Sequence, residues 1–251
     1  MCLFFSDLDN TLIYSHHRKI DSPKLVVEHI DGKEQSFMTK YTYDFLVSAD
    51  WLRLIPVTTR TEKQYNRIEC FGELKIKYAI VCNGGKLLID GKEDEEWSYE
   101  TRIRTQDNCE YLEGITENIS YLCENEVHRP TEYMRYVKCS NTKEVYRELI
   151  DLVDLAKVDI QMDNRKVYVF AKGITKGSAI ERFMKKRSRE TLLVAGDSMM
   201  DVSMLNMADY AFASQDIFDI IECKKKTKFE EGYLSDGICK SIFDMKVKGM
   251  I

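Results

Sequence analysis

FFSDLDNTLIY, residues 4–14, carries the sharpest signal in the chain. An aromatic and apolar run ends abruptly in two acids, Asp7 and Asp9, as a short buried strand ends in a polar turn. The acids lie two residues apart, so in an extended chain their side chains point the same way. Two like charges side by side stabilise nothing by themselves, and something must offset their repulsion. Either the pair acts on one ligand or shares one cation, or it is a strand-end acid followed by a turn or helix-capping residue. A calcium loop is excluded: its sixth position would be Leu12 in place of glycine and its twelfth Arg18 in place of glutamate.

Working outward, the same punctuation recurs. IPVTTR, residues 55–60, leaves Thr58 at the end of another strand, and VAGDSMMD, residues 194–201, leaves Asp197 at a third with Asp201 one helical turn on. GITKGSAIERF, residues 173–183, opens a helix with Thr175 as its cap and Lys176 in its first turn. Taken singly, Thr58 reads as a helix cap, Lys176 as a surface lysine and residues 196–198 as a tight turn. Together they form a constellation, because ligands of open α/β sheets bind beyond the carboxyl ends of the strands.

Between these points the pattern alternates. Strands are expected at residues 2–8, 52–60, 77–85, 191–198 and, last, 209–214, with helices at 41–50, 62–71, 176–186 and 200–208. Asp31-Gly32 turns a hairpin over residues 24–39. Residues 91–108 read as a charged loop that includes the acidic run 93–96, followed by a helix at 108–125, a strand at 134–140, a helix at 142–158 and a hairpin at 159–173. This order predicts an α/β fold: a Rossmann-like parallel-sheet core, residues 1–84 and 173–251, interrupted by an inserted α/β domain at 85–172.

Composition narrows the function. The 251 residues are 44% hydrophobic and 31% charged, as in a globular protein with a real core. A net charge of −5 gives no footprint for nucleic acid, and no apolar run approaches a membrane span. Eight scattered cysteines, none in a C-x-x-C pair, read as free thiols of a reducing, cytoplasmic location.

Three carboxylates in one crevice, Asp7 among them, require a cation, and oxygen ligands favour the small hard ion Mg²⁺. A lysine and a hydroxyl beside them supply donors for phosphate oxygens. A carboxylate nucleophile can form an aspartyl-phosphate while a second carboxylate works as acid and then base.

These residues resemble the four motifs of the haloacid dehalogenase superfamily. Residues 7–11 match its D-x-D-x-T motif in full, Thr58 the second-motif hydroxyl, Lys176 the third-motif lysine, and Asp197 with Asp201 the fourth-motif acids. The insertion between the second and third motifs is similar to the C2-type cap of Cof-type and sucrose-phosphate-phosphatase-like members, and Asn83-Gly84-Gly85 to their exit from core to cap. The resemblance implies Asp7 as nucleophile and Asp9 as general acid/base. It implies Mg²⁺ on Asp7, the Asp9 backbone carbonyl and Asp197, with Asp201 behind them, and Thr58 and Lys176 on the phosphoryl group. Two positions depart from the subgroup: Thr59 replaces a glycine and Met200 an asparagine.

The expected activity is Mg²⁺-dependent hydrolysis of a small phosphorylated metabolite such as a sugar phosphate. A phosphomutase using the same intermediate, or a non-catalytic regulatory module on this core, are the competing readings. His16 and His17 are expected in a solvated loop, Arg135 is the inserted-domain cation favoured to reach substrate, and Tyr133, Tyr136 and Tyr168 are expected to pack the sheet. The 24–38 hairpin is long enough to act as a flap over the site.

Overall fold

The computed structural model describes residues 2–251 apart from 20, 124, 125, 164, 186, 188, 189 and 231, and apart from the side chains of 122 and 123. The first part of the chain forms β1 (Cys2–Ser6), β2 (Tyr14–Ser15), β3 (Lys24–Ile30), β4 (Lys33–Thr39), α1 (Lys40–Ser48), β5 (Leu52–Pro56), α2 (Glu62–Tyr65) and β6 (Tyr78–Val81). The middle forms β7 (Lys86–Ile89), β8 (Lys92–Glu93), α3 (Glu95–Gly114), α4 (Thr116–Cys123), β9 (Val127–Thr131), β10 (Met134–Lys138), α5 (Thr142–Leu152), β11 (Val158–Met162) and β12 (Lys166–Ala171). The last part forms α6 (Lys176–Lys185), β13 (Thr191–Gly196), α7 (Val202–Leu205), β14 (Tyr210–Ser214), α8 (Gln215–Phe218), β15 (Lys226–Phe229) and α9 (Leu234–Val247).

The core is a parallel five-stranded sheet in the order β15-β14-β13-β1-β5. β1 lies centrally, so both its faces are covered and all five of its residues are buried; this is why it reads as a continuous apolar run. Phe5 meets Phe183 of α6 edge-on at 5.7 Å on one face, while Phe4 joins the cluster that contains Ile238 and Ile242 of α9 on the other. β6 extends the sheet edge through a parallel bridge between Val57 and Ile80. β7 then folds back antiparallel on β6, and β8 on β7.

The middle block contributes a four-stranded antiparallel sheet, β11-β12-β10-β9. One of its faces is apolar: Val137, Val167 and Val169 are buried there with Leu149 of α5. The expected hairpin at residues 24–39 forms β3 and β4, with Asp31 and Gly32 both at positive φ. β2 joins it as a third strand.

Several expectations need correction. Residues 95–108 are not a loop but most of the 20-residue α3, and the run 93–96 ends β8, caps the helix and starts it. Asp94 caps α3 by accepting from the Trp97 N–H at 2.8 Å, and Glu95 and Glu96 sit in the first turn where the helix dipole favours acids. The helix expected at 62–71 stops at Tyr65, with a 3₁₀ turn at Glu69–Phe71. The strand at 209–214 is not the last, since β15 and α9 follow. The ends of the helices expected at 108–125 and 176–186 fall outside the described residues, as does the Cys123 side chain; the other seven cysteines are free. No helix among the described residues is long and apolar enough to cross a membrane.

Candidate active site

The parallel register fixes where the acids meet. Ser6 of β1 lies opposite Ala195 of β13, so Asp7 and Asp197 leave the same edge of the sheet, and the Asp7 N–H donates to the Ala195 carbonyl at 3.0 Å. After Asp7 the chain turns tightly: Leu12 and Ile13 both donate to the Leu8 carbonyl at 2.9 Å, and Asn10 takes φ 62°. The turn returns the Thr11 hydroxyl to the site, where it donates to Asp197 Oδ1 at 2.8 Å.

Lys176 enters from the first turn of α6, whose cap is Thr175; the Ser178 N–H donates to the Thr175 hydroxyl at 3.0 Å. The lysine is 1% exposed, and its Nζ donates to Asp7 Oδ1 at 2.7 Å and to Asp201 Oδ1 at 2.5 Å. Asp201 Oδ2 accepts from the Asp197 and Ser198 N–H groups at 3.0 and 2.9 Å and from the Ser198 hydroxyl at 2.9 Å. This close approach requires Gly196, where a Cβ would lie 2.3 Å from the Asp201 Cβ.

Carboxylate oxygens of Asp7, Asp197 and Asp201 all lie within 4.8 Å of one another. Burial raises the Asp7 carboxyl well above its usual range; Lys176 opposes this, while Asp201, Asp197 and Asp9 add to it. Burial, and then Asp201, push Asp197 up to about 7 against the Thr11 hydrogen bond. For Lys176 burial acts downward, but Asp201 and Asp7 outweigh it and hold the ammonium above its ordinary value. One lysine among three carboxylates, Asp7 and Asp201 buried and Asp197 half-buried, leaves negative charge uncompensated. An all-oxygen donor set of this kind fits a hard divalent cation such as Mg²⁺. Asp201 already accepts four hydrogen bonds, which leaves Asp7 and Asp197 as the acids with oxygens to spare.

Asp9 stands apart from this cluster. Its two oxygens each accept at 2.8 Å from the guanidinium of Arg60, from Nε and Nη2. Arg60 Nη1 reaches Glu28 Oε2 on β3 at 3.0 Å, and Glu28, wholly buried, also accepts from Arg67 Nε at 2.9 Å and the Ser36 hydroxyl at 2.7 Å. Sequence reasoning missed Arg60, Glu28 and Thr11. Thr11 was legible as the final residue of D-x-D-x-T, and Arg60 as the basic residue after Thr58-Thr59. Glu28 carries no local signal. Thr58 itself is fully buried, and its hydroxyl accepts from the Arg60 N–H at 3.1 Å.

The site opens into a cavity of about 640 Å³. Asp7, Asp9, Arg60, Lys176 and Asp197 line it from the core side, and Met134, Tyr136, Met162, Lys166 and Tyr168 from the antiparallel sheet. Residues of the 24–39 hairpin, Glu28 and Gln35, reach its wall. Arg135 does not. It alternates with Met134 and Tyr136 on β10, is 2% exposed on the other face, and donates to Thr116 and to backbone carbonyls besides pairing with Glu113. The tyrosines divide: Tyr133 packs in the interior, whereas Tyr136 and Tyr168 face the cavity. His16 and His17 are exposed as expected.

A family model of haloacid dehalogenase-like hydrolases matches residues 125–221. No curated protein matches the sequence. Among solved structures, the fold is similar to the sucrose-phosphatase of Synechocystis sp. PCC6803 in complex with sucrose and phosphate, with a TM-score of 0.63, 13% identity and 98% of each chain covered. It is similar to a haloacid dehalogenase-like hydrolase of Bacteroides thetaiotaomicron, with a TM-score of 0.61, 13% identity and coverage of 97% of this chain and 99% of that one. A subclass IIB sugar phosphatase of the haloacid dehalogenase superfamily aligns over 100% of both chains at 16% identity, with a TM-score of 0.60. The family match spans Lys176, Asp197 and Asp201, and the full-length likeness is one of fold: an α/β core with a cap.

Proposed function

We propose that the protein is a Mg²⁺-dependent phosphatase of a small phosphomonoester of sugar-phosphate size. The observation that carries this reading is the Lys176 bridge between Asp7 and Asp201, set beside Asp197 at the sheet edge and open to a cavity of ligand size. The sugar-phosphate class is supported by the names of two structural neighbours, a sucrose-phosphatase and a sugar phosphatase. The cytoplasmic location, the core at 1–84 and 173–251 and the cap at 85–172 belong to the same proposal.

Asp7 and Asp197, with the Asp9 carbonyl, would hold Mg²⁺, which supplies charge neutralisation for a transferring phosphoryl group when bound. The Asp7 carboxylate attacks phosphorus and forms an aspartyl-phosphate as the ester oxygen departs. Asp9 gives that oxygen its proton, which requires it to release at least one arm of Arg60. Asp9 then takes a proton from water, which attacks phosphorus, frees phosphate and restores Asp7. Lys176 fixes the unreactive oxygen of Asp7 and neutralises part of the charge. Thr58 would donate its O–H to the phosphoryl group while still accepting from the Arg60 N–H. Phosphate release from a panel of phosphorylated metabolites, with and without Mg²⁺, tests the reading. Mg²⁺-dependent release that Asp7→Asn abolishes is expected; full activity of Asp7→Asn would end it. Transfer to a sugar hydroxyl in place of phosphate release would mark a mutase.

A further inference from the structure

Among the described residues that line the cavity, two cations have no ion pair, the exposed Lys143 and the half-buried Lys166. Arg60 is paired with Asp9 and Glu28, Arg67 with Glu28, and Lys176 with Asp7 and Asp201. Lys166, at the start of β12, has no ion pair or side-chain hydrogen bond among the described residues. Its Nζ lies 5.0 Å from the Tyr136 ring centre and 5.6 Å from that of Tyr168. The nearest acid of its own hairpin, Asp163, is occupied: it accepts from the Arg165 and Lys166 N–H groups at 2.7 and 2.8 Å and from the Tyr168 hydroxyl at 3.2 Å.

Register explains the arrangement. Tyr136 of β10 pairs directly with Tyr168 of β12, and Lys166, two residues before Tyr168, shares its face. That face looks into the cavity while Val167 and Val169 fill the other side. Burial lowers the Lys166 ammonium from its usual value, a cost of desolvation that a bound anion would offset. The two rings offer apolar faces beside it.

We propose that Lys166, between Tyr136 and Tyr168, recognises a second anionic group on the substrate, a carboxylate or a second phosphate remote from the scissile phosphoryl group. The substrate is then a phosphomonoester with a compact carbon skeleton against the tyrosines and an acid at its far end. This rests on the phosphatase reading of the same cavity, and binding separates the two. Calorimetry on the Asp7→Asn protein compares 6-phosphogluconate with glucose 6-phosphate, and 3-phosphoglycerate with glycerol 3-phosphate.

The carboxylate member of at least one pair should bind roughly 10- to 100-fold tighter, the range for a hydrogen bond to a charged group. Adding Lys166→Met should bring that ratio to near one, and Lys166→Arg should preserve it. A ratio near one in both pairs with Lys166 present overturns the proposal, as does a ratio that survives Lys166→Met. Phosphate release by the wild-type protein without the binding preference would sink this inference alone. The preference without any phosphate release would sink the phosphatase reading alone.

Discussion

Glu28 holds two arginines at once, and through Arg60 it governs the side chain of Asp9. A wholly buried carboxylate is tolerable only with its partners in place, and removing one member leaves buried charge unopposed. Glu28→Ala should therefore destabilise the protein by about 3–5 kcal/mol in urea unfolding, with Glu28→Gln milder because its amide oxygen can still accept from Ser36 and Arg60 while only the Arg67 bond is lost. A second prediction at this scale concerns Asp197, whose carboxyl stands at about 7 in the folded, ion-free chain against an ordinary value of 3.8. The folded state then binds a proton that the unfolded state releases, so this contribution to stability is present below about pH 4 and is lost as pH rises through about 7. Metal-free melting curves should fall across that window, and Asp197→Asn should flatten the fall. Asp7, Lys176, Asp197 and Asp201 were legible because each sits in a short motif at a strand or helix end. The Arg60–Glu28 pair and the placement of Lys166 were not, since both depend on tertiary approach and leave no trace in local spacing.

α6 and α7 touch through a glycine. A Cβ at Gly177 would lie 2.4 Å from the Ser203 carbonyl oxygen, and the Gly177 N–H donates to the Ser203 hydroxyl at 3.1 Å. Gly177→Ala should push the first turn of α6 off α7 and move Lys176, its neighbour, away from Asp7. The expected loss is about 1–3 kcal/mol of stability together with a fall in turnover, read by thermal melting and by phosphate release. A variant as stable and active as the wild type would show that α6 has room to spare. Helix α3 teaches a different lesson. Its buried positions are Trp97, Thr101, Thr105 and Leu112, a stripe in which two hydroxyl residues stand where apolar ones signal a helix. Both threonines satisfy their hydroxyls locally, donating at 2.9 Å to the carbonyls of Trp97 and Thr101 four residues back, and so pack as small apolar groups. Arg182 then lies over the Trp97 ring at 3.8 Å and ties α6 to α3. Charge on the remaining surface hid this helix from a reading based on apolar period. β1, β5 and β13, buried on both faces, gave the strongest signals and the correct strands.

At the scale of the molecule, chain segments from both ends of the sequence converge on one sheet edge, and the middle of the chain covers it. Alternation of strands and helices was enough to foresee the parallel sheet, since β1 and β13 must pair across the insertion for the motifs to meet. The wall that selects the ligand was not foreseeable, because which face of β10 looks inward depends on how its sheet packs on α5. Arg135 and Tyr136 exchanged expected roles for this reason. Convergence also predicts linkage: an ion that binds only the folded cluster stabilises it, by about 2.7 kcal/mol at a hundredfold excess over its dissociation constant. Mg²⁺ at neutral pH should raise the melting temperature, and the rise should vanish in Asp197→Asn.

A divalent ion is proposed to offset the repulsion of acids gathered from distant parts of the chain. Electron paramagnetic resonance of added Mn²⁺, displaced by Mg²⁺, measures that directly. One tight site per chain, competed by Mg²⁺ and lost in both Asp7→Asn and Asp197→Asn, is the predicted result. No tight site in the wild-type protein, or a site indifferent to both substitutions, would contradict it.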